Sequence, residues 1–516
     1  MTALTFLLLA AALGFGLARW TGLPSIPILM LAGVGVAALH PMDSEFVRDS
    51  ITLGVIVLVF VAGIELNPRR LRGRGGAALQ VGTLQFLVMG GVGLGAALLL
   101  DFDLETALYL ALALTASSTL VVVKLLQERR MLFEPVGRLV TSVLLLQDLL
   151  IILLIPVVTR FPDGALSVAQ GVGGTLAMML LAGICLRWVA PAVLDRVAFE
   201  EETLLLLSLS LLFAFLGLAF FLGLPLVSGA FLAGVILSGF PAAALVRGQL
   251  NSLGDFFHAL LFAALGAFLT LPTLGELVQS ALLILLVILI TPPLVAWIAE
   301  RAGFSARPAL TSGLLLAQTS EFSLIVALEG LALGHLTPGV FSVITLVTVI
   351  TMILSPALSG DRTTWALMRI HPFRRTPSLD QEPEGHILIL GCGRHGQELL
   401  ESLIVTRDKL IVVDDDPALI SQLRAAGVTA VKGDVSDRDL LREVGAHRAR
   451  IIISTIRRVE DNGPALELAD RVPVLVRGFN REDGEWIRAR GGRPVLYSEA
   501  ALEDFQEWYR EEWLPG

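Results

Sequence analysis

The sequence predicts a polytopic α-helical membrane protein that carries a soluble α/β domain after its last span. Three observations predict it. Of 516 residues, 55% are hydrophobic and only 16% charged, and the mean hydropathy of +0.76 exceeds what a soluble core requires. Up to about residue 360 the chain is a succession of apolar runs long enough to cross about 30 Å of hydrocarbon. Beyond that point the composition is that of a soluble domain, and it opens with a glycine-rich turn between a strand pattern and a helix pattern.

About thirteen spans follow from hydropathy. They fall near 3–19, 24–40, 51–66, 77–99, 104–127, 136–158, 166–190, 202–222, 224–241, 251–270, 276–298, 309–332 and 338–357. The first is not expected to be a cleaved signal, because MTALTFLLLA lacks a basic leading region and runs into further spans. Alternate loops hold Arg19, then Arg69 to Arg74, then Arg129, Arg130 and Arg138, then Arg187 and Arg196, then Arg247, then Arg301 and Arg307, then Arg362 to Arg375. The opposite loops carry Arg48 and Arg160 among Asp43, Glu45, Asp49, Asp101, Asp103 and Asp163. The positive-inside bias makes the Arg-rich side cytoplasmic, with the N-terminus outside and everything after 357 inside. A multi-pass protein of the cytoplasmic membrane is expected. Cys185 and Cys392 are far apart in sequence and suggest neither a disulfide framework nor a metal site.

Residues 1–357 read as the membrane domain, 358–385 as a polar, Pro-containing linker and 386–516 as a nucleotide-binding domain. The last segment carries most of the net charge of -9, which argues against nucleic acid as a partner. HILILGCGRHGQELLESL places Gly391, Gly393 and Gly396 in G-x-G-x-x-G spacing between a buried-strand pattern and a helix pattern. Each glycine has a use there: a tight turn, close approach of backbone N–H groups to phosphate, and close packing of the helix on the sheet. KLIVVDDDP follows, with Asp414 about twenty residues after the glycines, where a carboxylate accepts from ribose hydroxyls and repels a 2′-phosphate. The expected ligand is an adenine nucleotide, AMP, ATP or NAD(H), rather than NADP(H). The alternative is that the glycines only build the turn. VTAVKGDVSDRDLL, ARIIISTI and VPVLVRGF continue the alternation and predict a parallel sheet.

Within the spans, ionisable residues are few: Glu65, Lys124, Asp148, His258 and Glu321, with Asp255 and Glu329 nearer to span ends. Asp148 stands mid-span in LLLQDLLIILLIP, where its charge is costly unless a partner or a bound cation offsets it. One such carboxylate, taken in turn by a proton and a cation and exposed alternately to the two sides, suffices for one-for-one exchange. Hydrogen bonding between helices is the plainer role for it. TASSTLVV in span five and AQTSEFSL in span twelve are hydroxyl-rich runs inside leucine-rich helices, suited to an interrupted helix and to oxygen ligation of a cation. Ser118 precedes Pro156 by 38 residues and Ser320 precedes Pro356 by 36. Spans five and six, and spans twelve and thirteen, therefore read as two copies of one unit in an inverted-repeat transporter. Lys124 is near enough to its span end to snorkel, and His258 is left as a hydrogen-bonded residue.

VLVFVAGIELNPRRLR, LTASSTLVVVKLLQER, VTSVLLLQDLLIILL, SGAFLAGVILS and AQTSEFSLI resemble, in order, the signature segments of the Kef-type potassium/proton antiporters, in the monovalent cation:proton antiporter-2 family. GCGRHGQ, VVDDDP and VKGDVSDRDLL resemble the Rossmann lobe of the domain regulating potassium conductance, also called TrkA-N. The resemblance implies a sodium/proton antiporter-like fold whose crossed, discontinuous helices hold the ion site, moving as an elevator in a homodimer. It implies that Asp148 is the exchanging carboxylate, beside Gln147, with Ser117, Ser118 and Thr119 and with Thr319, Ser320 and Glu321 at the interruptions. It implies nucleotide contacts from Gly391, Gly393, Arg394, His395, Gly396, Asp414, Asp415 and Asp434. A Gln before the Asp resembles the electroneutral, K+-preferring branch, with sodium/proton exchange, or a ligand-gated potassium efflux system, as the alternative.

Two departures weaken a glutathione-gated response: the loop GFPAAALVRGQLNSLGD is nearly without acids, and little sequence follows the Rossmann-like lobe. A ligand-gated potassium channel would need a carbonyl-lined filter such as TVGYG, and no such run occurs. A membrane-anchored oxidoreductase would need a second, substrate-binding lobe, so an enzyme is not expected.

Overall fold

A computed structural model describes residues 2–21, 24–39, 44–65, 75–189, 201–238, 243–269, 272–368, 383–404 and 409–496. The chain divides into two compact units. One comprises Met1–Val122, Val140–Leu294 and Gly313–Ser359; the other comprises Val123–Leu139, Val295–Ser312 and Gly360–Gly516. Part of the predicted linker (369–382), the loop arginines Arg69 to Arg74, Arg196, and residues 239–242 lie outside the described residues.

The helices follow the predicted spans in order. They are α1 (Thr2–Thr21), α2 (Ser25–Leu39), α3 (Ser44–Glu65), α4 (Gly75–Leu99), α5 (Leu104–Ala113), α6 (Thr119–Glu128), α7 (Pro135–Thr159) and α8 (Ala165–Ile184). After them come α9 (Glu201–Phe221), α10 (Leu226–Ser238), α11 (Ala243–Phe268), α12 (Leu274–Arg301), α13 (Ala306–Leu315), α14 (Glu321–Ala332) and α15 (Pro338–Leu358). Span five is split into α5 and α6, and span twelve into α13 and α14, at the two hydroxyl-rich runs. α11 begins earlier than the predicted span, because AALVRGQLNSL after Pro241 holds no further proline and continues as helix through Gly248. A short helix, α16 (Asp361–Met368), occupies the start of the predicted linker.

In the first unit, reciprocal glycines set the closest helix contacts. A Cβ at Gly33 of α2 would lie 2.0 Å from Ala263 O of α11, and one at Gly266 of α11 would lie 2.0 Å from Met30 O. Gly63 of α3 and Gly234 of α10 repeat the arrangement, at 2.3 Å from Phe231 O and 2.1 Å from Phe60 O. In hydrocarbon, where burial of leucine gains little over lipid, such backbone-to-backbone contact supplies the packing.

The second unit contains a six-stranded, wholly parallel sheet in the order β3-β2-β1-β4-β5-β6. The strands are β1 (Ile387–Leu390), β2 (Leu410–Asp414), β3 (Thr429–Lys432), β4 (Ile451–Ser454), β5 (Val474–Gly478) and β6 (Arg493–Leu496). Helices α17 (Arg394–Ile404), α18 (Pro417–Ala425), α19 (Arg438–Glu443), α20 (Gly463–Leu466) and α21 (Arg481–Arg488) connect them. β1 reads ILIL and is buried throughout, as a central strand covered on both faces must be. Leu388 and Leu390 join one apolar layer, while Ile387 and Ile389 join the other. The strand order reverses between β1 and β4, and ligands of doubly wound folds bind at that reversal.

Candidate functional site

The two interruptions meet inside the first unit. α5 ends at Ala113 and α6 starts at Thr119, where Ser118 Oγ accepts from Val121 N at 3.3 Å. α13 ends at Leu315, and α14 starts after Ser320, whose Oγ accepts from Phe322 N at 3.1 Å while Ser323 Oγ accepts from Ser320 N at 3.3 Å. The serines thus cap the half-helices and satisfy amide groups that no lipid or water could. Ser117 Oγ donates to Leu316 O at 2.8 Å, and Ser323 Oγ donates to Ala113 O, so each interruption closes the other.

Asp148, buried on α7, faces this crossing. Thr119 Oγ1, at the N-terminus of α6, donates to its Oδ2 at 3.1 Å. Its Oδ1 has no hydrogen-bond partner among the described residues. No cationic side chain among the described residues pairs with it, and the charged neighbours that interact with it are the carboxyl groups of Glu321 and Glu65. Glu321 is itself buried beside Ser118 and Ser320.

Gln147, next to Asp148, points elsewhere: its Oε1 accepts from Ser117 N at 3.1 Å and its Nε2 donates to Gln85 at 2.6 Å. Thr319 turns to α15, where its N donates to Thr351 Oγ1 and its Oγ1 to Thr348 Oγ1, both at 3.1 Å. The structure therefore brings Thr119 and Glu321 to Asp148, places Ser118 and Ser320 beside Glu321, and engages Ser117, Gln147 and Thr319 in bracing.

Sequence reasoning missed Gln85, Thr348 and Thr351. A signal for Thr348 was present, since the contacts Thr119–Asp148 and Thr319–Thr348 both span 29 residues. Thr119 and Thr319, Asp148 and Thr348, and Pro156 and Pro356 are each 200 residues apart. Lys124 is exposed and sits 4.0 Å from Glu128, as snorkelling predicts. His258 packs edge-on against Phe262.

In the second unit the glycine-rich loop after β1 has the predicted construction. Gly391 has φ +77 and no room for a side chain, with Ile456 Cγ1 2.9 Å from an added Cβ, and at Gly396 the obstacle is Gly391 O at 2.7 Å. At Gly393 an added Cβ meets nothing within 4 Å. Packing thus explains the first and third glycines, and the open space at the second fits a phosphate approaching the backbone.

Asp414 Oδ2 accepts from Cys392 N at 2.7 Å and its Oδ1 from Asp416 N at 2.8 Å, so the expected ribose acceptor also buttresses the loop. Thr455, which the sequence reading did not single out, spans the reversal point by donating from Oγ1 to Gly391 O at 2.9 Å. Asp434 pairs with Arg307 at 3.1 Å and accepts from Ser436 N at 2.9 Å. The side chains of Arg394 and His395 lie outside the described residues. Burial, with Asp414 and Asp434 alongside, holds the Asp415 carboxyl well above the usual carboxylate range. Burial and Asp414 push the Cys392 thiol up to about 11.

Interrupted helices that meet beside an uncompensated carboxylate make the membrane unit a secondary transporter, here joined to a Rossmann-type domain. Comparison with known proteins narrows the class. The profile described as sodium/hydrogen exchanger, transmembrane, matches residues 4–360 and that of the TrkA-N domain matches 387–492; the chain belongs to the sodium/hydrogen exchanger family, membrane antiporters of monovalent cations and protons.

It is 29% identical over 500 residues, 93% of this chain and 80% of the relative, to the glutathione-regulated potassium-efflux system protein KefC of Salmonella schwarzengrund. The protein of that name from Shigella flexneri serotype 5b is 28% identical over the same shares. The sodium proton antiporter MjNhaP1 of Methanocaldococcus jannaschii, 16% identical, superposes with a TM-score of 0.56 over 71% of this chain and 99% of its own. That likeness shows the antiporter fold expected from the sequence. The Kef-type pairing of an exchanger domain with a TrkA-N domain holds as well, and these relatives are transporters.

Proposed function

We propose that the chain exchanges potassium for protons without net charge movement, Asp148 taking a cation and a proton in turn. The observation that carries this reading is the buried carboxylate at the crossing of two interrupted helices, paired with no cationic side chain among the described residues. A carboxylate so placed needs a proton or a cation to offset its charge. Oxygens near Thr119, Ser118, Ser320 and Glu321 complete a cation site. Potassium is supported by the relatives named as potassium-efflux proteins, and a single exchanging acid, with Gln147 where a second acid would stand, supports electroneutrality. The family's own name keeps sodium as the competing cation.

The membrane domain is taken as residues 1–357 of a homodimer, moving as an elevator, and the nucleotide-binding domain as 386–516 after the linker at 358–385. Arg-rich segments 123–139 and 295–312 gather in one unit with the sheet, which supports a common, cytoplasmic side for them and an external N-terminus. The loop Gly391–Gly396, the N-terminus of α17 and Asp414, with Asp415 and Asp434 nearby, would hold an adenine nucleotide, AMP, ATP or NAD(H). Such a ligand biases transport only as far as its affinity differs between transport states.

Proteoliposomes with an imposed pH gradient test the central reading. Potassium should collapse the gradient at lower concentration than sodium, clamping the membrane potential should leave the rate unchanged, and Asp148→Asn should abolish exchange. Cation-dependent proton movement retained in Asp148→Asn removes the proposal.

A further inference from the structure

Helix α4 turns one face toward the exchange site. Gly82, Gln85, Met89 and Gly93 recur on it at helical spacing. An added Cβ at Gly82 would lie 2.9 Å from Leu146 Cδ2 of α7, and one at Gly93 would lie 3.3 Å from Ala111 Cα of α5. These glycines bring α4 close to both helices. Gln85, 1% exposed, is thereby seated between the end of α5 and the polar pair on α7.

From there a continuous chain of hydrogen bonds runs across both interruptions. Gln85 Nε2 donates to Thr115 O at 3.1 Å, and Gln85 Oε1 accepts from Gln147 Nε2 at 2.6 Å. Gln147 Oε1 accepts from Ser117 N at 3.1 Å, and Ser117 Oγ donates to Leu316 O at 2.8 Å. The amide orientations are forced from both ends. Ser117 N can only donate, so an oxygen of Gln147 faces it; Thr115 O can only accept, so the nitrogen of Gln85 faces that. The two remaining atoms then meet as donor and acceptor.

We propose that Gln85 is a positioning residue for exchange, its amide holding Gln147 and the α5–α6 interruption where Thr119 and Asp148 face the cation; this rests on Asp148 being the exchanging carboxylate. Gln147 is then a brace and leaves cation ligation to Asp148 and the oxygens around Thr119. The brace also keeps a competitor away. Without Gln85, Thr115 O loses its side-chain donor and Gln147 Nε2 its acceptor, and the freed amide would seek a new acceptor. The unpartnered Oδ1 of the adjacent Asp148 offers one, and a hydrogen bond there would compete with the cation.

The test is gradient collapse in proteoliposomes with Gln85→Leu, Gln85→Glu and Asp148→Asn. Gln85→Leu should raise the apparent cation KM about tenfold, the effect of a buried polar group losing its partner, with the maximal rate little changed. Gln85→Glu separates positioning from mere packing. Its protonated carboxyl can donate to Thr115 O and accept from Gln147 Nε2 as the native amide does, whereas the ionised form faces Thr115 O with no donor. Its activity relative to the native protein should therefore be highest at low pH and fall as pH rises.

A native KM in Gln85→Leu overturns the proposal. Should that variant not reach the membrane, Gln85→Glu decides, and a pH-independent ratio to the native protein overturns it too. Loss of exchange in Asp148→Asn alongside a native KM in Gln85→Leu removes the brace alone. Exchange retained in Asp148→Asn removes the carboxylate assignment and the brace with it.

Discussion

Asp415 stands just past the end of β2 with Asp414, Asp434 and Glu134 for neighbours, and burial holds its carboxyl well above the ordinary value of 3.8. Below that ordinary value both the folded and the unfolded chain are protonated there, and the group contributes nothing to stability. As pH rises the unfolded chain ionises first, so stability falls until the folded carboxyl ionises as well. Calorimetric unfolding should show this group's contribution to the stability of the second unit falling as pH rises from acid toward neutral. Asp415→Asn should stabilise it near neutrality and flatten the slope; an unchanged slope would contradict this. Cys392, buried and with its thiol pushed up to about 11, is mostly un-ionised near neutral pH. Iodoacetamide should label it only after unfolding, and rapid labelling of the native chain would count against that environment. At this scale Asp148 was legible in the sequence because an acid among leucines is an anomaly. Gln85 was not, since Gln80 lies on the same helix and only packing tells which of the two is enclosed.

The interrupted helices were legible as elements because serine and threonine cluster where leucine is otherwise the rule, and Ser118 and Ser320 then cap the half-helices. What lay beyond the sequence was their crossing, which depends on bonds such as Ser117–Leu316 across 199 residues. The glycine-rich loop divides its roles in a way that spacing alone leaves open. Gly391→Ala places a side chain at φ +77 and against Ile456, which should destabilise the second unit by about 2 kcal/mol. Gly393→Ala meets nothing within 4 Å, so its melting temperature should stay native without nucleotide. If phosphate rests on that backbone, Gly393→Ala should lose the thermal shift that AMP, ATP or NAD gives the native protein. No shift in the native protein with any of the three would leave the glycines as turn geometry alone.

Across the whole molecule, the arginines that read as orientation marks in the sequence turn out to have carboxylate partners distant along the chain. In the second unit Arg307, nearly enclosed, lies 3.1 Å from both Asp434 and Asp461 and 3.3 Å from Asp361. Arg458 reaches Asp361 as well, and Arg130 pairs with Asp483 at 2.9 Å. Separations of 127 residues between Arg307 and Asp434 carry no sequence signal, which is why orientation was legible and pairing was not. Most of these carboxylates are largely shielded from water, so the argument differs from that for a surface pair. Removing the central cation takes from Asp434 the guanidinium it pairs with and leaves Asp461 with Arg458 alone, at 3.8 Å, and breaking a buried network in this way costs about 3 kcal/mol. Arg307→Met keeps much of the side-chain volume and should lower the thermal midpoint of the second unit accordingly, read by calorimetry. Adding Asp434→Asn to that variant removes one of the stranded charges and should recover part of the loss, a coupling that independent sites do not show. Because the pairs are shielded, moderate salt should change the native midpoint little. A native midpoint in Arg307→Met, or strictly additive losses in the double variant, would place these arginines back among solvated surface charges.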